Sequence, residues 1–239
     1  MTYSIIARCP ATGRFGVGTT TFSLACGRRN ESLRPNVGVS KSQAFYLRRV
    51  DPFVLNMLTL GHRPAQIAQL LAADDPDYEY RQYGIIDRES NVFAHTGPKI
   101  GQWAGHIVGP CYAAYGNGLA GPQTVEGIVA GFMSDPAAPL EERLMRAIEG
   151  GRDAGGQRFK GMPRPERSAW LRVVDRLDWP MIDLRVDMHT RTVAELRRIF
   201  EIWKRTHAYY EDRAQNPHSA RAEEDVMAEL GIQAQAAER

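Results

Sequence analysis

Strand-forming runs in this sequence come in groups, and each group is separated from the next by a pair of helical segments. That order restricts the fold more than any single motif does. Residues 2–8 (TYSIIAR) are β-branched and aromatic, a Gly-bearing turn covers 10–14, and a second strand-like run spans 15–22, so the chain opens with a hairpin. A third strand is expected over 36–43. Asp51-Pro52 then opens a helix with Val54, Leu55 and Leu58 at helical spacing and Gly61 at its end, and Pro64 starts a second helix to Ala73. Another hairpin is expected from 81–87 and 92–96, with 106–115 extending the sheet, before helices at 122–133 and 140–154. A Gly/Pro-rich loop over 155–165 precedes strands at 169–175 and 181–187. The last fifty residues read as helix, at 193–210 and again, more weakly, after Pro217. Such blocks predict a layered α/β (α+β) fold built from antiparallel hairpins, not a βαβ parallel sheet. One domain is expected over 1–210, with 211–239 as a helical tail or oligomerisation arm.

At 239 residues the chain is long enough to bury about 70% of its unfolded surface without staples. Its 30 basic residues balance 28 acidic ones, so no nucleic-acid partner is expected. Apolar runs break far short of the roughly 20 residues needed to span a bilayer, and no membrane partner or secretory signal is expected. Cys9, Cys26 and Cys111 are odd in number and lack CxxC spacing, which suits free thiols in a cytoplasmic protein.

Gly116-Asn117-Gly118-Leu119-Ala120-Gly121 matches GxGxxG, but no second parallel strand ending in an acidic residue follows it, so no dinucleotide cofactor is expected. A Gly-rich turn feeding a helix still offers backbone N–H groups to an anion or oxyanion, and Asn117 adds a side-chain donor. A plain tight turn reads equally well. The six histidines show no metal-ligand spacing, and no metal is expected. His106, after Trp103-Ala104-Gly105, either lines a pocket or is structural. Asp183, Arg185 and Asp187 alternate along one strand and so share a face. That row either binds a polar substrate or forms an ion-pair row.

Thr2 is the most informative position. Removal of an initiator Met before a small residue would leave Thr2 with a hydroxyl and an α-amine of pKa about 7.7–8.0 on one residue. The amine can take the hydroxyl proton and return it to a leaving amine. Lys41, within Val39-Ser40-Lys41-Ser42-Gln43, either sits beside Thr2 and favours its deprotonated forms or is a surface lysine on an edge strand.

Taken in order, these segments resemble the domain-of-unknown-function family numbered 1028. The resemblance is carried by Thr2 to Arg8 with Thr12-Gly13 and Phe15-Gly16-Val17, by Val37-Gly38 to Gln43, and by Tyr80-Arg81-Gln82 with Gly84 and Asp87. Trp103 to His106, Gly116-Asn117 with Leu119-Ala120-Gly121, Arg167-Ser168-Ala169 and Leu184 to Asp187 complete it. That family is similar to the N-terminal nucleophile (Ntn) hydrolases. The resemblance implies a four-layer αββα sandwich of two stacked, mainly antiparallel sheets, and hydrolysis of an amide C–N bond. Thr2 carries over as nucleophile and base, and the 116–118 loop as oxyanion-hole material.

The expected function is thus cleavage of an amide or ureido bond in a small polar substrate. Thr2, Lys41 and Asn117 are the candidate catalytic residues; Gln43, His106, Gly116, Gly118, Arg185 and Asp187 are the candidate substrate-binding ones. No cofactor is expected. The expected partners are a small-molecule substrate and further copies of the chain in a homo-oligomer. The alternative is a non-catalytic ligand-binding or assembly protein on the same fold.

Overall fold

The opening hairpin forms in full register. In the computed structural model, which describes residues 1–28 and 33–232, β1 (Thr2–Arg8) pairs antiparallel with β2 (Phe15–Thr21) from Thr2 opposite Thr21 to Arg8 opposite Phe15. Gly13, at φ +77°, supplies the left-handed turn residue. Both strands are almost wholly buried, which is why they read as continuous apolar or small-residue runs and not as clean alternation. Next come β3 (Leu33–Arg34), β4 (Gly38–Ala44), α1 (Val50–Thr59) and α2 (Pro64–Asp74). The middle of the chain gives β5 (Arg81–Asp87), β6 (Val92–Thr96), β7 (Ala104–Gly109), β8 (Tyr112–Asn117), α3 (Pro122–Met133) and α4 (Leu140–Asp153). It closes with β9 (Gln157–Phe159), β10 (Met162–Arg164), β11 (Ser168–Val174), β12 (Pro180–Val186), α5 (Thr192–Gln215) and α6 (Glu223–Glu229).

Two open antiparallel sheets result, one of six strands in the order β12-β11-β2-β1-β8-β7 and one of four in the order β3-β4-β5-β6, beside a separate β9–β10 hairpin. The sheets stack face to face. Helices α3 and α4 cover the outer side of the six-stranded sheet, and α1 and α2 the outer side of the other. The architecture is therefore a mixed α+β sandwich with layers α, β, β and α. Ile6, Val17, Val39, Ile86, Tyr115 and Trp170 meet between the sheets. Val54, Leu55, Ile67, Leu71 and Ile85 fill the space under α1 and α2. Each such side chain, once buried, contributes about 1.5–3 kcal/mol. Gly16 is required on β2 because α4 lies against it: a Cβ there would come within 2.4 Å of Leu144 Cδ1.

The structure departs from the sequence reading most clearly at three turns. The single extension expected over 106–115 is two strands, β7 and β8, reversed at Pro110-Cys111 with Cys111 at φ +62°. Apolar periodicity runs through that turn without a break. The loop expected over 155–165 contains the β9–β10 hairpin, turned by Lys160 and Gly161 at φ +51° and +76°. Asn36, at φ +57°, is a turn residue before β4 and not its first member.

The chain divides into two compact units, Met1–Leu196 and Arg197–Arg239. Within the second, Tyr209 donates to the Arg221 carbonyl (3.0 Å) and Tyr210 to Glu223 (2.8 Å), while Arg213 pairs with Glu223 (2.7 Å). These contacts fold the segment bearing α6 back on the end of α5. No helix among the described residues is long and apolar enough to cross a membrane.

Candidate functional site

The first residue of β1 stands in the middle of the six-stranded sheet, because β2 and β8 flank β1 on either side. Thr2 lies opposite Thr21 on one neighbour and Asn117 on the other. One step outward, the same registers place Met1 between Phe22 and Gly118. Gly118, at φ +62°, meets Met1 so closely that a Cβ on it would lie 2.2 Å from Met1 Cγ. Thr21 Oγ1 donates to the Met1 carbonyl (2.7 Å), so the 2.9 Å contact between Thr2 Oγ1 and Thr21 Oγ1 is donated by Thr2. Burial lowers the pKa of the Met1 amine at this strand end.

A cavity of about 80 Å³ opens here, lined by Met1, Thr2, Thr19, Thr21, Lys41 and Gln43 among others. Lys41 is 2% exposed and its Nζ donates to the Ser42 carbonyl at 3.0 Å. Strand alternation explains why a lysine faces inward. Ser40 and Ser42, on the other face of β4, are both held by the buried carboxylate of Asp51 in α1 (Oγ to Oδ distances of 2.7 and 2.8 Å). That clamp fixes the strand's rotation and turns Lys41 and Gln43 toward β1. The edge-strand reading of Lys41 is therefore set aside: β4 lies between β3 and β5.

Below Thr2 a buried polar network joins the two sheets. Ser4 Oγ donates to Gln43 Oε1 (2.7 Å) and lies 2.5 Å from Thr19 Oγ1. Gln43 Nε2 and Asn117 Nδ2 both donate to Gln82 Oε1 (2.7 and 2.9 Å), and Gln82 Nε2 donates to the Gly116 carbonyl (2.8 Å) and to Thr96 Oγ1 (3.0 Å). His106 Nδ1 is 2.9 Å from Thr96 Oγ1, so His106 ends this chain of contacts at the surface of β7 and does not line the cavity. Asn117 and Gly116 are tied into the same network. Arg185 lies on edge strand β12, three strands from β1, and Asp187 just past its end, where its carbonyl accepts the Ala25 N–H (3.0 Å) between the lining residues Leu24 and Cys26.

Gln157 escaped the sequence reading and has no local signal, because it lies in the segment read as a loop. Its Oε1 accepts the Phe22 N–H (2.8 Å), the next residue's N–H donates to the Gly118 carbonyl (2.8 Å), and Gln157 itself bridges to Leu119. It therefore spans the same two residues that flank Met1, across the end of β1. Gln157 is 1% exposed, yet its Nε2 has no hydrogen-bond partner among the described residues. An unpaired buried donor costs about 1–3 kcal/mol.

A family model described as a family of unknown function (DUF1028) matches residues 2–196. A comparison with curated proteins finds no match. Among solved structures, the crystal structure of protein SPO2555 from Silicibacter pomeroyi, which carries the same family model, is similar with a TM-score of 0.74 and 26% sequence identity, over 85% of this chain and 86% of that one. The family model and the solved relative agree: the chain belongs to the family of unknown function DUF1028.

Proposed function

We propose that, once Met1 is removed, the protein is an Ntn-type hydrolase that cleaves an amide or ureido C–N bond in a small polar substrate. The observation that carries this reading is the placement of Thr2. It is the first residue of a central strand and opens on a polar cavity with buried Lys41 and Gln43. Loss of Met1 bares the Thr2 amine and vacates the space on Gly118 that the Met1 side chain fills.

Thr2 Oγ then attacks the substrate carbonyl carbon, and its proton passes to the Thr2 amine. The C–N bond breaks as that proton moves to the leaving nitrogen, leaving an acyl ester on Thr2. Water adds to the ester and releases the acid with Thr2 regenerated. Lys41 favours the ionised hydroxyl through its charge. The oxyanion is met by Gln157 Nε2, since the Asn117 amide is engaged by Gln82. Arg164 and Arg167 pack over Phe22, 5.8 and 3.8 Å from its ring centroid, and give the neighbouring rim positive charge suited to an anionic group on the substrate.

Intact-mass spectrometry of purified protein, followed by incubation with a panel of small amides and ureido compounds, tests the reading. The expected result is a mass lacking one methionine and an acyl adduct on the Thr2 peptide under rapid acid quench. A retained Met1 blocks both amine and attack path; the reading then falls, and a non-catalytic binding protein takes its place. Gln157→Glu keeps the acceptor for the Phe22 N–H but replaces the unpaired donor with a carboxyl group. It is expected to lower kcat by about 10²–10³-fold, measured against the best substrate of the panel. An unchanged kcat removes Gln157 from the mechanism.

A further inference from the structure

A second cavity, of about 350 Å³, lies on the outer side of the four-stranded sheet under helices α1 and α2. That volume falls in the range of roughly 300–1,000 Å³ typical of small-molecule pockets. Val50 and Phe53 of α1 and Leu70 and Leu71 of α2 form its walls, and Tyr83 of β5 lies on its floor. Phe53 and Leu70 are 38% and 43% exposed, so apolar surface is left facing the opening.

The charged groups around it cancel in pairs. Arg81 grips Asp75 through two hydrogen bonds (2.7 and 3.2 Å) and also donates to the Phe45 carbonyl, while Arg49 pairs with Asp74 at 2.8 Å near the mouth. A charged ligand would have to break one of these pairs to find a counter-ion. An uncharged polar feature of the lining is a hydroxyl couple, Tyr78 Oη and Tyr83 Oη, 2.7 Å apart. Burial raises both phenol pKa values, so both stay protonated. Two hydroxyl hydrogens serve one mutual bond, and one hydrogen remains to donate outward. His95 stacks on Tyr78 with centroids 4.0 Å apart and lies 5.4 Å from the Tyr83 ring, which holds the couple in place.

We infer that this pocket binds an uncharged, ring-bearing small molecule of roughly ten to twenty non-hydrogen atoms, its body against Phe53, Leu70 and Leu71 and one carbonyl, ether or phenol oxygen accepting from the Tyr78–Tyr83 couple. The inference stands on this pocket alone and does not rest on the hydrolase reading.

The probe for the test is 6-propionyl-2-dimethylaminonaphthalene, a neutral fluorophore with one ketone, titrated against the full chain beside 2-dimethylaminonaphthalene, which lacks the ketone. A blue-shifted, saturable 1:1 signal is expected. Leu70→Trp, which fills the pocket from its rim, is expected to weaken binding at least tenfold. Tyr78→Phe with Tyr83→Phe removes both hydroxyls together, since either alone would still donate. This double variant is expected to weaken the ketone probe about fivefold to tenfold and to leave the ketone-free probe unchanged. Should Leu70→Trp lose its native circular dichroism, the double variant decides by itself. Absence of a saturable signal overturns the inference. So does equal binding by a folded Leu70→Trp, or an equal loss of both probes in the double variant.

Discussion

Thr2→Ala is expected to lower kcat/KM by about 10⁴-fold or more while leaving the fold intact. Alanine, like threonine, is small enough to permit Met1 removal, so the variant keeps a free α-amine on β1 and loses only the hydroxyl. Removing a nucleophile ordinarily leaves only the residual rate supplied by binding and oxyanion donors. The structural cost is one hydrogen bond, from Thr2 Oγ1 to Thr21 Oγ1, about 0.5–1.5 kcal/mol. For a domain of this size that lowers the melting temperature by roughly 2–5 °C. Thr2→Ser keeps an attacking oxygen and is expected to recover a substantial part of the rate. The pH profile supplies a separate readout. A base must be neutral to accept a proton. The rate is therefore expected to rise with pH through the ordinary α-amino range of about 7.7–8.0 and to level off above it. Turnover by Thr2→Ala equal to wild type would sink the mechanism.

The division between what the sequence reveals here and what it hides follows physical lines. β1, β5, β6 and α3 coincide with their expected bounds because each is closed by local chemistry: Pro122 starts α3, and the turn around Ser90, at φ +70°, separates β5 from β6. At Cys111 an ordinary residue in the left-handed region turns the chain inside an apolar run, which reads as one extension; at Lys160-Gly161 the glycines and prolines signal a turn but not the short strands on either side of it. The site divides in the same way. Thr2 is legible as a candidate because the proposed chemistry rests only on its place after Met1. Lys41 required knowledge of which face of β4 turns inward, and that is set by Asp51, residues away on α1. Gln82 and Gln157 act through partners more than thirty residues distant, a distance at which spacing carries no information.

Trp170→Ala is expected to cost about 3–5 kcal/mol of folding stability, a large share of the 5–15 kcal/mol typical of a whole domain, and its reason bears on the charged row of β12. Trp170 is fully buried on β11, opposite Thr19 of β2 and Arg185 of β12. Its indole Nε1 donates to Asp183 Oδ1 at 2.7 Å, and Asp183 also lies 4.0 Å from Arg172 Nε and 3.9 Å from Arg185 Nε. The aspartate therefore accepts one indole hydrogen bond and lies within ion-pair distance of two guanidinium groups. Gly27 closes the packing: a Cβ there would lie 2.4 Å from Arg185 Cδ and 3.0 Å from Trp170 Cδ1. Trp170→Phe separates the two contributions. It keeps most of the ring and removes the donor, at an expected cost of about 1–2 kcal/mol. If the indole contact is the coupling, Trp170→Phe and Asp183→Ala will be less than additive in urea denaturation, because both remove the same bond. Were each variant to melt as wild type does, the row would have no structural role, and its reading as a substrate-binding face would regain its force.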